Sequence, residues 1–297
     1  MKILFFHKSN SSYLPFTLSQ VAESNSNSDV VLIGDISNNC YDFITHAQVS
    51  DYSDSANEFE KIYEHKSLAP YQFELICFLR WFVFKDYVYK NDIDGDFVCL
   101  DSDVLVYQNI ERIKPILDGY DLTIRGQGGA GFQWFRSKEV LNDFCDFIVK
   151  QYTEPNLINR LDLCWFEHQK RNYGGICDMY MFNFYIEEGT YKVKDISIPE
   201  GDLIIEKAIL DVKDCLHRNG ILNVRFKRGN ASFSTQVGKR FWIFALHNQD
   251  KQNMHKYYIG TRYRTLMIKQ KIFKFVDIIT SRLKIRTRIK GLFNGTI

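Results

Sequence analysis

Proline is scarce in this sequence, with 5 residues among 297, which excludes a Pro-rich linker architecture and a collagen-like repeat. No apolar run approaches the ~20 residues that a helix needs to span a bilayer. The apolar run at residues 2–6 is too short for a signal peptide, because His7, Lys8 and further polar residues follow it directly. We therefore interpret this run as a first strand and expect a cytoplasmic protein.

The seven cysteines are odd in number and include no CxxC pair. This pattern indicates reduced thiols and argues against a disulfide scaffold or a zinc site. None of the cysteines has a basic, His-paired sequence context, so we expect them to pack in the interior rather than to act as nucleophiles.

Aromatic residues, in contrast, are abundant at 15%, and apolar residues reach 45%, which is enough for a sizeable core. The charge is unevenly distributed. Residues 262–297 contain ten Lys or Arg and one acid, a balance of +9, whereas the preceding residues contain 28 bases and 35 acids, a balance of −7. We predict a main domain over residues 1–260 and a separate basic segment over residues 261–297.

Strand-like and helix-like runs alternate over most of the chain, which predicts an α/β fold with a mostly parallel sheet flanked by helices. Residues 71–90 are long and apolar and predict a buried helix. Ligands bind beyond the carboxyl ends of the strands in such sheets. The polar loops after Phe6, Ile33 and Leu100 are therefore the places to search for a site.

The acidic pair after Leu100 is the most informative feature. Asp101 and Asp103 lie one residue apart between apolar segments, so an extended chain places both carboxylates on one face. Two like charges become favourable around a divalent cation, and oxygen ligands suit Mg²⁺ or Mn²⁺. Such a cation would neutralise the phosphates of a nucleotide. The alternative is a solvated turn, since D-x-D is common by chance.

This segment, in the form LDSDVLV, resembles the D-x-D motif of the GT-A-fold glycosyltransferases, and of their retaining, family-8-like members in particular. Three further segments resemble that family in the expected order: residues 73–81 with Arg80, residues 174–179 with Asp178, and residues 245–251 with His247. Together the four segments span about residues 1–260. The chain departs from the family's H-x-x-G-x-x-K pattern, because Asp250 stands where the glycine is expected.

The resemblance implies a metal-dependent enzyme with a nucleotide-sugar donor, and it implies roles for individual residues. Asp103 would ligate Mn²⁺ or Mg²⁺ directly, Asp101 would do so through water or bind the ribose, and His247 would complete the metal site. Contacts to the donor are expected from a further set of residues: His7, Lys8, Asp35, Asp101, Ser102, Gln249 and Lys251.

Arg80 and Asp178 are the candidate catalytic residues. Arg80 lies within an apolar helix and must be paired, either with Asp101 or Glu74 in a structural salt bridge or with the donor. Asp178 opens an apolar helix and is either a simple N-cap or a carboxylate that faces the sugar. We expect retention of the anomeric configuration, and Asp178 is the candidate base if the enzyme inverts.

The glycine-rich stretch at residues 126–131 looks like a phosphate loop but lacks the Lys-Ser/Thr that such loops require. We interpret it as a flexible turn that borders the site.

The basic residues at 262–290 alternate with apolar residues at near-helical spacing, which predicts an amphipathic helix that binds an anionic membrane surface. A helix packed on the body is the alternative, and nucleic-acid binding is the least favoured.

We predict a glycosyltransferase of the hexosyltransferase type that acts on a glycan or lipid-linked acceptor in cell-surface polysaccharide synthesis, in the cytoplasm or at its membrane face. A nucleotidyltransferase is an alternative, but the loop after the first strand contains no glycine. The other alternative is a non-catalytic, membrane-associated sugar-nucleotide-binding protein.

Overall fold

The computed structural model describes residues 1–263, and Met1–Tyr258 form one compact unit. The predicted basic helix at 262–290 lies outside the described residues, apart from its first two positions. That helix and the domain division at residue 260 therefore stay predictions.

The described residues contain seven α-helices. The predicted buried helix at residues 71–90 is confirmed as α3. No described helix is long and apolar enough to cross a bilayer. The helices are α1 (Leu14–Ser24), α2 (Asp54–Glu60), α3 (Tyr71–Lys90), α4 (Lys114–Leu117), α5 (Lys138–Thr153), α6 (Pro155–Arg171) and α7 (Asp178–Glu187).

Fourteen strands lie within residues 1–263, and most of them are shorter than seven residues. In chain order they are β1 (Lys2–His7), β2 (Val30–Gly34), β3 (Thr45–Gln48), β4 (Phe97–Leu100), β5 (Val104–Val106), β6 (Leu122–Ile124), β7 (Phe132–Phe135), β8 (Val193–Asp195), β9 (Leu203–Ala208), β10 (His217–Arg218), β11 (Ile221–Leu222), β12 (Arg225–Lys227), β13 (Asn230–Ser234) and β14 (Arg240–His247).

The main sheet has seven strands in the order β3-β2-β1-β4-β7-β6-β8. Its pairings are parallel except those that β7 makes with β4 and β6. The turn between β6 and β7 explains this exception, because a parallel pair needs a crossover of a dozen or more residues. The predicted α/β fold with a mostly parallel sheet is thus confirmed in a mixed form.

Both faces of the main sheet are buried, and successive side chains along a strand point to opposite faces. Leu4 and Cys99 point to a core that includes Trp81 of α3, whereas Phe5 and Val98 point to a second core on the opposite face. The strands therefore read as continuous apolar runs rather than as alternating ones.

β14 belongs to a second sheet. Its order is β12-β13-β14-β5, and β9 pairs with β14 as well. The antiparallel register places His247 opposite Val104, directly after the acidic pair. The parallel register with β9 places Ala245 opposite Glu206. The strands that pair with β14 direct its end towards the end of β4.

Candidate active site

The carboxyl ends of β1 and β4, which are parallel neighbours, open onto a cavity of about 930 Å³. The loops after these two strands are two of the three in which a site was predicted. Ten of the predicted site residues line the cavity, and the exception is Asp35. The ten are His7, Lys8, Arg80, Asp101, Ser102, Asp103, Asp178, His247, Gln249 and Lys251.

A tight turn presents the acidic pair. The backbone N–H of Asp101 donates to the carbonyl of Gly131 at 2.8 Å, and the carbonyl of Asp101 accepts from Val104 N–H at 3.0 Å. The backbone N–H of Asn248 donates to the carbonyl of Asp103 at 2.9 Å and ties the end of β14 to the same turn. Three backbone segments that are distant in sequence thus fix the positions of the two carboxylates.

Asp101, Asp103 and His247 form a group that could hold a metal ion, because one ligand atom from each lies within 4.8 Å of the others. Nε2 of His247 is 3.3 Å from Oδ1 of Asp103 and 4.0 Å from Oδ2 of Asp101. Two carboxylate oxygens and an imidazole nitrogen are suitable ligands for a divalent cation. The residues therefore fit the metal that the sequence resemblance implies.

Charged neighbours control the ionisation of this group. Burial disfavours the charged form of His247, but the neighbouring carboxylates of Asp103 and Glu206 outweigh burial and raise the pKa of His247 to about 10. Burial opposes the ionisation of Asp103 as well, yet His247 and Lys251 lower the pKa of Asp103. Nζ of Lys251 lies 3.2 Å from Oδ2 of Asp103. Lys251 and the protonated His247 thus hold Asp103 as a carboxylate, and a metal ion bound here would displace the Nε2 proton of His247.

Glu206 is a site residue that sequence reasoning missed. Its side chain is fully buried, and its Oε1 lies 3.2 Å from Nδ1 of His247 and 3.4 Å from Nε of Arg125. A buried carboxylate is costly unless it is paired. The signal in the sequence was a single acid within the apolar run at residues 203–209.

Gly131 provides the space for this arrangement. A Cβ at this position would lie 2.7 Å from Nδ1 of His247 and 2.8 Å from Oε1 of Glu206, both of which are too close. Ala130 and Gly131 line the cavity, so the end of the glycine-rich stretch does border the site, as predicted.

Arg80 bridges two carboxylates, and this settles which partners it has within the protein. Its Nη1 donates to Asp101, and its Nη2 donates to Asp178 at 2.6 Å. The other expected partner, Glu74, instead accepts a hydrogen bond from the Ser67 hydroxyl. Burial opposes the charge of Arg80, but Asp101 and Asp178 raise the pKa of Arg80 above its usual value.

Asp178 is the first residue of α7, and Cys177, not Asp178, occupies the N-cap position. The N-cap alternative is therefore wrong. Oδ2 of Asp178 accepts hydrogen bonds from Arg80 and from the Trp81 indole N–H, the latter at 3.0 Å, and Oδ1 accepts from Met179 N–H at 2.9 Å. Three N–H donors thus fix the orientation of the Asp178 carboxylate.

A polar chain lies on the β1 side of the cavity. Nδ1 of His7 is 3.0 Å from the Ser102 hydroxyl, which is 3.1 Å from the Tyr13 hydroxyl. Asp35 lies apart from the cavity wall, where its carboxylate accepts from the backbone N–H groups of Ser9 and Ser37. A donor contact by Asp35 thus stays a prediction.

Two of the seven cysteines, Cys77 and Cys177, line the cavity. Burial raises the pKa of both thiols, that of Cys177 to about 12, so neither is a thiolate at neutral pH. This agrees with the expectation for these two cysteines, whereas Cys40 is exposed and does not pack in the interior, contrary to the prediction.

No protein-family model matches the sequence, and no curated protein matches it either. Solved structures, however, are similar to it. The apo form of mouse xyloside xylosyltransferase 1 matches with a TM-score of 0.50 and 12% identity over 71% of this chain and 88% of that chain.

Two further structures are similar at a lower level. The galactosyltransferase LgtC in complex with donor and acceptor sugar analogues gives a TM-score of 0.37 and 14% identity, over 70% of this chain and 76% of that chain. The glycosyltransferase GlyE of Streptococcus pneumoniae TIGR4 gives 0.35 and 15%, over 65% of this chain and 44% of that chain. At these identities the likeness to the xylosyltransferase concerns the fold, and the chain has the GT-A fold of such glycosyltransferases.

Proposed function

We propose that this protein is a metal-dependent glycosyltransferase that moves a sugar from a nucleotide-diphosphate donor to a glycan or lipid-linked acceptor. The observation that carries the proposal is the meeting of Asp101, Asp103 and His247 at the carboxyl end of β4, inside the cavity of a GT-A-type fold. UDP is the expected nucleotide, and Mn²⁺ or Mg²⁺ is the expected ion.

The ion would be held by Asp103 and His247 directly and by Asp101, and it would stabilise the charge of the departing diphosphate. Lys251 is placed to share this task, because its ammonium already lies beside Asp103. His7, Lys8, Ser102 and the segment after β14 would bind the nucleotide portion. The protein's main contribution is to position the two sugars in a site that excludes water, since water would otherwise hydrolyse the donor.

In this proposal, the ion pairs of Arg80 hold the carboxylates of Asp101 and Asp178 in position. Because the oxygens of Asp178 already accept three N–H donors, Asp178 is better suited to orienting a sugar hydroxyl than to taking a proton. This supports the retaining stereochemistry over an inverting reaction with Asp178 as base. NMR of the anomeric proton in the first product tests the stereochemistry.

The direct test is hydrolysis or transfer of UDP-sugars with and without Mn²⁺. We expect turnover that requires the ion and that is lost in Asp103→Asn, whereas Asp121→Asn, a change at a carboxylate outside the cavity, retains it. Equal turnover by Asp103→Asn and the unmodified protein would contradict the proposal. Release of pyrophosphate from a nucleoside triphosphate and a sugar phosphate would favour the nucleotidyltransferase alternative instead.

The basic segment at 262–290 enters the proposal as a membrane-binding element on the cytoplasmic face. It would bring the catalytic domain of residues 1–260 to a lipid-linked acceptor.

A further inference from the structure

Exposed apolar side chains gather along one rim of the cavity. They are between 44% exposed, for Met179, and 80% exposed, for Tyr173. We call this set the apolar rim, and it consists of Leu68, Phe73, Leu163, Phe166, Tyr173 and Met179.

Backbone and side-chain bonds bring the segments of the apolar rim together. The N–H of Leu68 donates to the carbonyl of Gly174 at 3.1 Å, so the loop before α3 pairs with the loop after α6. Nζ of Lys66 contacts Asp162 at 2.6 Å and ties the same loop to the middle of α6. These contacts hold the loop before α3 beside the loop after α6 and beside α6 itself, although the segments are about a hundred positions apart in sequence.

The apolar rim extends beyond the cavity. Leu68, Phe73, Tyr173 and Met179 line the cavity, whereas Leu163 and Phe166 lie on the outer face of α6 and are not among its lining residues. A contiguous exposed apolar patch marks a surface that meets another molecule or a membrane. A small acceptor inside the cavity would leave the α6 part of the rim uncovered, so the partner must itself be an extended surface.

The chemistry of the rim matches a lipid surface. Its Leu, Met and Phe side chains offer no hydrogen-bond donor or acceptor of the amide or hydroxyl type. The last turn of α6 supplies basic groups, His168, Lys170 and Arg171, and Nζ of Lys170, which also pairs with Glu167 at 2.8 Å, lies 4.1 Å from the centre of the Phe166 ring. Aromatic and aliphatic groups with adjacent basic residues are typical of surfaces that enter the headgroup region.

We propose that the apolar rim enters the interfacial region of a lipid bilayer, so that the mouth of the cavity faces the membrane. None of the rim residues belongs to the basic segment at 262–290. The rim would add its own apolar burial to the attraction of that segment for an anionic membrane. Taken with the proposed function, this orientation selects an acceptor that is carried on a lipid, because its sugar then reaches the cavity from the membrane side.

Vesicle co-sedimentation of the full chain tests the proposal. Vesicles of phosphatidylcholine, with and without phosphatidylglycerol, are compared at low salt and at about 1 M NaCl, where the Debye length is about 3 Å. High salt screens the electrostatic attraction of the basic segment but does not weaken the apolar burial of the rim, so the comparison of variants at high salt reports on the rim. The test variant is Leu163→Gln/Phe166→Gln, outside the cavity. The matched control is Ile198→Gln/Val237→Gln, which replaces two apolar side chains elsewhere that are at least as exposed as the tested pair.

We expect the unmodified protein to retain binding at high salt, and the test variant to bind at least about tenfold more weakly while the control does not change. Binding that disappears completely at high salt, or equal binding by the test variant and the control, would overturn the proposal. So would a dimer in sedimentation velocity that only the test variant disrupts, together with unchanged vesicle binding, because the rim would then join two copies of the chain.

UDP-sugar hydrolysis in vesicle-free buffer separates this proposal from the proposed function. The test variant is expected to hydrolyse the donor as the unmodified protein does, because neither substituted side chain lines the cavity. Circular dichroism shows whether each variant retains its fold. Vesicle binding without any donor turnover would support the proposed membrane contact of the apolar rim and contradict the proposed glycosyltransferase activity.

Discussion

Oε1 of Glu206 lies 3.2 Å from Nδ1 of His247, and this contact leaves Nε2 of the same ring to face Asp101 and Asp103. The arrangement places a fully buried carboxylate behind the imidazole. Such a partner fixes the tautomer and the orientation of a metal-binding histidine. Glu206 is therefore a positioning residue for the proposed metal site.

Replacing Glu206 by alanine is expected to weaken Mn²⁺ binding by about 10- to 100-fold, because His247 loses the partner that orients it. Glu206→Gln should weaken binding less, since a side chain of the same shape with an acceptor oxygen still lies behind Nδ1 of His247. Isothermal titration calorimetry measures both affinities without turnover. Glu187→Gln, at the exposed end of α7, is the control and should bind as the unmodified protein does. Equal affinity in all variants would show that Glu206 does not position His247.

A methyl group at Gly131 should have a similar effect by a steric route. The new Cβ would lie 2.7 Å from Nδ1 of His247, so the His247–Glu206 pair must move apart. We expect Gly131→Ala to lower the Mn²⁺ affinity by at least about tenfold, because the ligand His247 is displaced. The same titration measures this loss.

Gly189→Ala is the matched control for Gly131→Ala. Gly189 has a positive φ of 70°, so alanine strains the backbone there, but nothing lies within 4 Å of the new Cβ. We expect it to lower the melting temperature and leave metal binding intact. A loss of metal binding in the control as well would assign the effect to general destabilisation.

Much of the fold could be predicted from local patterns. The apolar run at residues 71–90 defined α3 residue for residue, because a run of that length suits a buried helix better than a strand. The D-x-D pair was recognisable because the apolar strand Phe97–Leu100 precedes it directly. Both features are encoded by neighbours in sequence.

The second sheet was harder to predict, because its strands are short and pair over long distances. β14 pairs with β5 and with β9, and each of these pairings joins segments that are tens of residues apart or more. For the same reason the sequence identified His247 but not Glu206, which becomes its neighbour only through the register of β9 on β14. From the sequence, Arg80 could pair with Asp101, with Glu74 or with the donor, and in the structure it pairs with Asp101 and with Asp178.

The Arg80 bridge is expected to stabilise the fold as well as the site. Arg80→Met leaves the carboxylates of Asp101 and Asp178 close together without their shared cation. Removing one member of a buried ion pair costs about 3–5 kcal/mol, and we expect a decrease in unfolding free energy of about 3 kcal/mol. Urea denaturation measures it.

Two comparisons make the Arg80 result specific. The double variant Arg80→Met/Asp178→Asn should recover part of the lost stability, because only one uncompensated carboxylate remains. Arg136→Met is the surface control. Arg136 pairs with Asp121 at 3.4 Å and is half exposed, so its loss should cost less than about 1 kcal/mol. If both arginine variants lost the same stability, the bridge would have no special role.

Metal binding should be visible as thermal stabilisation even without a donor. A ligand that binds only the folded state stabilises it by about 2.7 kcal/mol when its concentration is 100 times the dissociation constant. We therefore expect Mn²⁺ to raise the melting temperature of the unmodified protein, and EDTA to reverse the increase. Asp103→Asn should show no increase, because the carboxylate nearest to Nε2 of His247 is lost. Asp121→Asn, whose carboxylate lies outside the cavity, should respond fully. An increase of the same size in Asp103→Asn would place the bound ion elsewhere on the protein and would remove the basis for assigning the diphosphate to this end of β4.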